Sequence, residues 1–122
     1  MSQKPVVQKL LIKPGYRILI VNMPADYMAK LGKTEFLVFT DPSEQPFDLI
    51  QLFVSTKKQL QEELPKLKQL IEKEGLLWVT YPKGKPEINR DSIREFASTM
   101  GLQAVTLVAL DETWSALRLR VL

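Results

Sequence analysis

The residues best equipped for chemistry lie in the last third of the chain. Asp111-Glu112-Thr113-Trp114-Ser115 sets two carboxylates beside an indole, between Gln103 to Leu110 and Ala116 to Leu122, which both read as strands. Five residues suffice for a hairpin loop, and a turn needs no tryptophan. A large amphipathic ring there is expected to be covered, either as a plug over the end of a sheet or as a stacking surface for a ligand or partner. A second group is Tyr81-Pro82-Lys83-Gly84-Lys85, a phenol and two ammonium groups in a crossover loop. It reads either as an ordinary surface loop or as a grip on an anion beside Trp114. Arg90 and Asp91 begin a helix, as a local cap and ion pair or as further binding groups.

Adjacent Asp111 and Glu112 point in different directions in a turn, so paired acid–base work would need another acid such as Asp41. Asp111 is expected to receive turn amides or to pair with Arg90 or Lys83. The chain has no histidine and no cysteine. That excludes an imidazole base, a thiolate nucleophile and a His/Cys zinc site. Catalysis would have to use Asp, Glu, Lys, Tyr, Ser or Thr, or a carboxylate-bound hard metal. No catalytic residue, cofactor or metal ligand is assigned from the residues alone.

These groups need a scaffold, and 122 residues with 45% hydrophobic content provide one domain, residues 1–122. Seventeen basic against fourteen acidic side chains leave a net charge of +3. That is a lysine-rich solvated surface rather than a polybasic tract, so nucleic-acid binding is not expected. The N-terminus is too polar for a signal peptide, and no apolar run reaches the roughly 18–20 residues a membrane helix needs. With cysteine absent, a cytoplasmic location is expected. Nothing in the sequence specifies an oligomeric state.

Arg17 to Val21 is continuously apolar after a Pro14-Gly15 turn, the mark of a strand buried on both faces. Pro24 to Leu31 carries Met28 and Leu31 at helical spacing, with Gly32 as a stop. Phe36 to Thr40 and Phe47 to Val54 read as strands joined by a loop without room for a helix. From Ser55 to Glu74 the period becomes 3.6, with Leu60, Leu64, Leu67 and Ile71 in one stripe, a cap at Ser55 or Thr56 and a stop at Gly75. Pro65 either kinks this helix or restarts it. Leu76 to Thr80 is a fourth strand. A second amphipathic helix starts near Asn89 or Asp91, with Ser92 and Glu95 at capping-box spacing and Gly101 as its stop. Arg118 and Arg120 alternate with apolar residues, as on the solvent face of an edge strand. Strands alternating with helices give an α/β fold with a mostly parallel sheet and a C-terminal antiparallel hairpin strand.

Leu11-Ile12-Lys13-Pro14-Gly15, Phe47-Asp48-Leu49-Ile50, Gly75-Leu76-Leu77-Trp78-Val79 and the closing hairpin stand in the order seen in Rossmann-like methyltransferases. The chain resembles a truncated version of that fold. The resemblance implies an S-adenosylmethionine site after the first strand, with Asp41 spaced to be its acidic ribose ligand; from the residues themselves Asp41 reads as a simple turn former. In place of the glycine-rich loop, however, the chain has Asn22-Met23-Pro24-Ala25-Asp26-Tyr27, whose side chains hinder close approach and whose Pro24 lacks a donor. The chain also resembles a bacterial family defined as a domain of unknown function. That likeness rests on Trp78-Val79-Thr80-Tyr81-Pro82-Lys83-Gly84, Asn89-Arg90-Asp91 and Asp111-Glu112-Thr113-Trp114-Ser115-Ala116-Leu117-Arg118; it implies no activity.

Ligands of open α/β sheets bind beyond the carboxyl ends of the strands. Tyr81, Lys83, Lys85, Arg90, Asp111, Glu112 and Trp114 are therefore expected to converge there. The function that follows is a non-catalytic binding or regulatory module for a small anionic ligand or a protein partner. The alternative is a small enzyme using Lys, Tyr and carboxylate chemistry, which requires Tyr81, Lys83 and Asp111 within hydrogen-bonding reach of one another.

Overall fold

The computed structural model describes residues 4–32 and 35–122. A one-turn helix, α1 (Val6–Lys9), leads into β1 (Arg17–Val21), whose Ile18, Leu19 and Ile20 are all buried. Helix α2 (Tyr27–Leu31) follows, anchored by Tyr27 and Leu31, whereas Met28 faces solvent. The short β2 (Leu37–Phe39) leads to β3 (Phe47–Phe53) through a 3₁₀ turn at Pro42–Glu44, which Asp41 caps.

Helix α3 (Lys57–Leu70) is capped by Thr56, whose hydroxyl accepts the Gln59 N–H at 3.1 Å. It runs through Pro65 without a break and buries Leu60, Leu64 and Leu67. The helix stops at Leu70 rather than Gly75, because Ile71 is already extended and pairs with Phe47. The fourth strand is correspondingly long, β4 (Ile71–Pro82). Helix α4 (Arg90–Ser98) begins with a capping box between Asn89 and Ser92, one turn earlier than the Ser92–Glu95 spacing predicts. Asn89 is extended and its side chain accepts the Ser92 N–H, while the Ser92 hydroxyl accepts the Asn89 N–H. Strands β5 (Leu102–Ala109) and β6 (Trp114–Val121) complete the chain.

The six strands lie in the order β2-β1-β3-β4-β6-β5. The β1–β2, β1–β3 and β3–β4 pairs are parallel, and β6 runs antiparallel to both β4 and β5. Five strands therefore share one direction, and the last strand is inserted among them. The expectation that Arg118 and Arg120 guard a sheet edge is corrected here. Strand β6 is interior, with a ladder on each side, and the edge strands are β2 and β5.

Each face of the sheet carries its own core. On one, Leu60, Leu64 and Leu67 of α3 and Ile93 and Ala97 of α4 pack on Leu19, Ile50, Leu52, Leu77, Val79 and Leu117. On the other, Leu10, Ile12, Tyr27 and Leu31 pack on Ile18, Ile20, Leu49, Phe53 and Trp78. Alternation along β3 and β4 sends successive side chains to opposite cores, which explains their uninterrupted apolar sequences. Each such buried Leu or Phe contributes about 1.5–3 kcal/mol. Among the described residues, the polar side chains Gln51 and Thr80 are buried in this interior and bond each other. The Tyr27 hydroxyl donates to Gln51 Oε1 at 2.9 Å, and Gln51 Nε2 donates to Thr80 Oγ1 at 2.9 Å. Trp78 donates its indole N–H to the Leu10 carbonyl at 3.1 Å, fastening the N-terminal segment to the sheet.

Candidate functional site

The parallel strands end, and β6 begins, at the same rim, so the Asp111–Thr113 turn faces the segment after β4. The Lys83 N–H donates to the Thr113 carbonyl at 2.9 Å, and Lys83 Nζ donates to the Asp111 carbonyl at 2.6 Å. Inside the turn, Asp111 Oδ1 accepts the Thr113 and Trp114 N–H groups at 2.7 and 2.8 Å. This is the local bonding that makes aspartate a turn residue. Its other oxygen pairs with Lys30 Nζ of α2 at 2.6 Å, not with Arg90. Partial burial opposes ionisation of Asp111. The Lys30 bond and then the Trp114 and Thr113 amides outweigh it, holding the carboxyl below the usual carboxylate range. The same bond raises the Lys30 ammonium above its ordinary value.

A third lysine reaches this turn from the opposite end of the sequence. Lys9 Nζ donates to the Ala109 carbonyl at 2.7 Å and to that of Leu110 at 3.3 Å. Three ammonium groups from α1, α2 and the β4–α4 loop thus close on one three-residue stretch, Ala109 to Asp111. Two hollows flank it. One of about 280 Å³ is lined by Lys9, Lys83, Ala109, Asp111 and Glu112. The other, about 490 Å³, is bounded by Lys4, Lys30, Asp111, Glu112 and Thr113 among others.

Trp114 is half-buried and stacks edge-on against Phe53, with ring centroids 5.1 Å apart. Phe53 in turn meets Tyr27 at 4.7 Å. The indole therefore closes the end of the second core, and this aromatic series continues into the Tyr27–Gln51–Thr80 hydrogen bonds beneath it.

The remaining sequence-predicted residues lie elsewhere. Tyr81 pairs with Ser115, one residue beyond Trp114, so its buried ring projects into the other core. Burial pushes its phenol up, against the opposing effects of Arg90 and the Ser115 hydroxyl. Arg90 pairs with Asp91 at 3.7 Å at the start of α4. Lys85 is exposed in the following loop. Lys83, Asp111, Glu112 and Trp114 form one group; Tyr81 and Arg90 belong to the opposite face. Lys9 and Lys30 were not legible as site residues, because their partners lie 100 and 81 positions away.

At the end of β1 the backbone turns through Asn22, at φ 60, a left-handed conformation that asparagine tolerates. Its side-chain amide is used on the Phe53 carbonyl at 3.2 Å. Asp41, beyond β2, accepts the Ser43 N–H at 2.9 Å, which holds its carboxyl low. Among the described residues no helix is long and apolar enough to cross a membrane.

Residues 35–121 match the family described as Protein of unknown function (DUF3052). The chain belongs to this family. The matched span runs from the residue before Phe36 to the end of β6, and so contains the whole Lys83–Asp111–Trp114 group of this DUF3052 member. No curated protein matches the sequence. Among solved structures, the fold is similar to a SAM dependent methyltransferase from Aquifex aeolicus, at TM-score 0.66 and 14% identity over 96% of this chain and 88% of that one. It is similar to a TehB-like SAM-dependent methyltransferase from Corynebacterium glutamicum, at 0.62 and 12% over 96% and 85%. It is also similar to the Methanococcus jannaschii fibrillarin pre-rRNA processing protein, at 0.59 and 12% over 98% and 70%. At such identities the likeness concerns the fold: a methyltransferase-like Rossmann architecture.

Proposed function

We propose that the chain is a non-catalytic binding module that takes a small anionic ligand at the hairpin rim. The supporting observation is the convergence of Lys9, Lys30 and Lys83 on the Ala109–Asp111 stretch. With Lys4, four ammonium groups line the two hollows against the carboxylates of Asp111 and Glu112, an excess of two positive charges. Lys9 and Lys83 each spend donors on carbonyl oxygens, which fixes the ammonium groups while leaving N–H bonds for a ligand. Pre-ordered cations lose less entropy on binding than free surface lysines do.

The cofactor named for the structural neighbours does not suit this donor set. Met23 and Pro24 carry side chains where a cofactor would have to approach the backbone, Pro24 has no N–H, and the Asn22 amide is already engaged. A hollow of about 410 Å³ beyond β1 and β2 is lined by Asn22, Thr40, Glu63 and Lys66 together with apolar residues such as Met23 and Leu67, but not by Asp41. Asp41 is occupied as a turn cap. The enzymatic alternative fares no better, because Tyr81 projects into the opposite core from the one Trp114 closes.

Titration of the protein with pyrophosphate, followed by amide chemical shifts, tests this function. Shifts are expected at Lys83, Ala109 to Thr113 and Trp114. In the Lys9→Gln/Lys83→Gln variant, affinity should fall by at least about tenfold, with retained folding checked by thermal melting. Shifts no larger than those from chloride at matched ionic strength would remove the proposal.

A further inference from the structure

Arg118 and Arg120 stand on an interior strand, so protection of a sheet edge does not account for them. Register sets their surroundings. Arg118 lies opposite Trp78 of β4 and Thr106 of β5, and Arg120 lies opposite Gln103. Directly opposed side chains of an antiparallel pair share a face, with Cβ atoms about 4.5–5.5 Å apart. Trp78 belongs to the core covered by α1 and α2, so the four polar side chains are on that same face of the sheet.

The bulge between Ala104 and Thr106 completes the set. Regular alternation would put Val105 in the row of Arg118, and the extra residue puts Thr106 there instead. Gln103, Thr106, Arg118 and Arg120 thus form a compact polar tile. On β5 and β6 the core of this face ends at Val108 and Ala116, before the tile begins. The opposite face of the same strands, at Leu102, Leu117 and Leu119, is packed against Ile93 and Ala97 of α4. Gln103, Thr106 and Arg120 are exposed, and Arg118 is half-buried. Among the described residues no carboxylate pairs with either guanidinium.

We infer that this tile is a docking surface for an acidic helix of a partner protein, whose carboxylates one turn apart each engage one guanidinium. Shape and charge together select that occupant. A pleated surface is broad and has no cleft to enclose a small molecule, and the layer that an α/β sheet packs on its face is helical. Two residues along a strand span about 6.6–6.8 Å, close to the roughly 6 Å between residues i and i+4 of a helix. Each guanidinium fork can hold a carboxylate through two parallel N–H bonds. A single-stranded nucleic acid would need exposed rings to stack on, and none of the large hydrophobic side chains exposed among the described residues is aromatic. A second copy does not supply the acid either. Asp91 and Glu95 of α4 have the right spacing, but Asp91 is already paired with Arg90 and Arg94. Leu11 follows the carbonyl that receives the Trp78 indole N–H and is 46% exposed, an apolar contact at the border of the tile. The Asp111 turn lies at the other end of β6, so this surface is separate from the hairpin rim.

Two alanine-rich helical peptides test the inference, one with glutamate at i and i+4 and the other with glutamine there. Binding is followed by backbone amide and arginine Nε–H chemical shifts. The glutamate peptide should shift Gln103, Thr106, Arg118 and Arg120, and less so as ionic strength rises. Arg118→Gln/Arg120→Gln should weaken this binding by at least about tenfold. Thr106→Glu, at an exposed position, should do the same without lowering the melting temperature, because the new carboxylate faces Arg118 in its own row. Lys58→Gln removes one positive charge from an exposed position on α3 and should leave the binding unaltered. Shifts from the glutamate peptide no larger than those from the glutamine peptide overturn the inference. Shifts confined to the Asp111 turn do so too, as does an oligothymidylate of equal charge that binds the tile more tightly.

Discussion

Asp111 organises the rim with one side chain. One oxygen closes its own turn and the other holds α2 through Lys30, so the same carboxylate shapes the loop and ties it to a distant helix. Its acidity is increased in the folded state relative to the ordinary 3.8, so the unfolded chain takes up the proton first as pH falls. The stability it contributes is complete above about pH 3.8 and is lost as pH drops through the folded value. Asp111→Asn is expected to reduce unfolding free energy by about 1 kcal/mol at neutral pH, a figure set by partial exposure of the pair. Urea unfolding at a series of pH values should also show a shallower acid slope for the variant. The turn role of Asp111 was legible because its bonds reach two and three residues ahead. The Lys30 pair was not, since nothing local announces a partner on another helix. Gln51, set among Leu, Ile and Phe, is a signal of a buried polar link that the sequence reading passed over, and its partners Tyr27 and Thr80 lie 24 and 29 positions away.

Among the elements, those set by local periodicity agree with the sequence, and those set by tertiary pairing do not. The Leu60–Leu64–Leu67 stripe and the Thr56 cap define α3 because both act within a turn or two. Its end was misjudged by several residues. Glu72-Lys73-Glu74 continue a helix-like polar pattern, but the backbone there is drawn into β4 beside Phe47. Helix α4 depends on a reciprocal cap, and Asn89→Ala should cost about 1 kcal/mol, while Asn89→Asp should retain most of it. Thermal unfolding of the two variants side by side is sufficient to check this. Strand β6 was the largest error. Its alternating arginines imitate an edge strand, yet half-buried Arg118 stands opposite Trp78 on one side and Thr106 on the other. Sequence alternation reports that one face is polar, and it does not report how many neighbours a strand has.

Across the whole molecule, the class of fold was legible, and with it the shared rim at which the parallel strands end, because parallel strands linked by helices must end on one side. The allotment of side chains to the two faces was not legible at β4, where a continuous apolar run hides the alternation. That allotment separates Tyr81 from Trp114. It also places Lys9, from the first turn of the chain, beside a hairpin formed a hundred residues later.

Among the described residues β6 is the only strand paired with β5, so within the sheet the two strands are joined to the others by one seam, the ladder between β4 and β6. Amide exchange should therefore find both strands opening in one cooperative step of equal free energy, with β1 and β3 still protected. The lysines of α1, α2 and the β4–α4 loop act as bolts across that seam. Whatever neutralises them would be read out as a change in how often the final third of the protein swings loose.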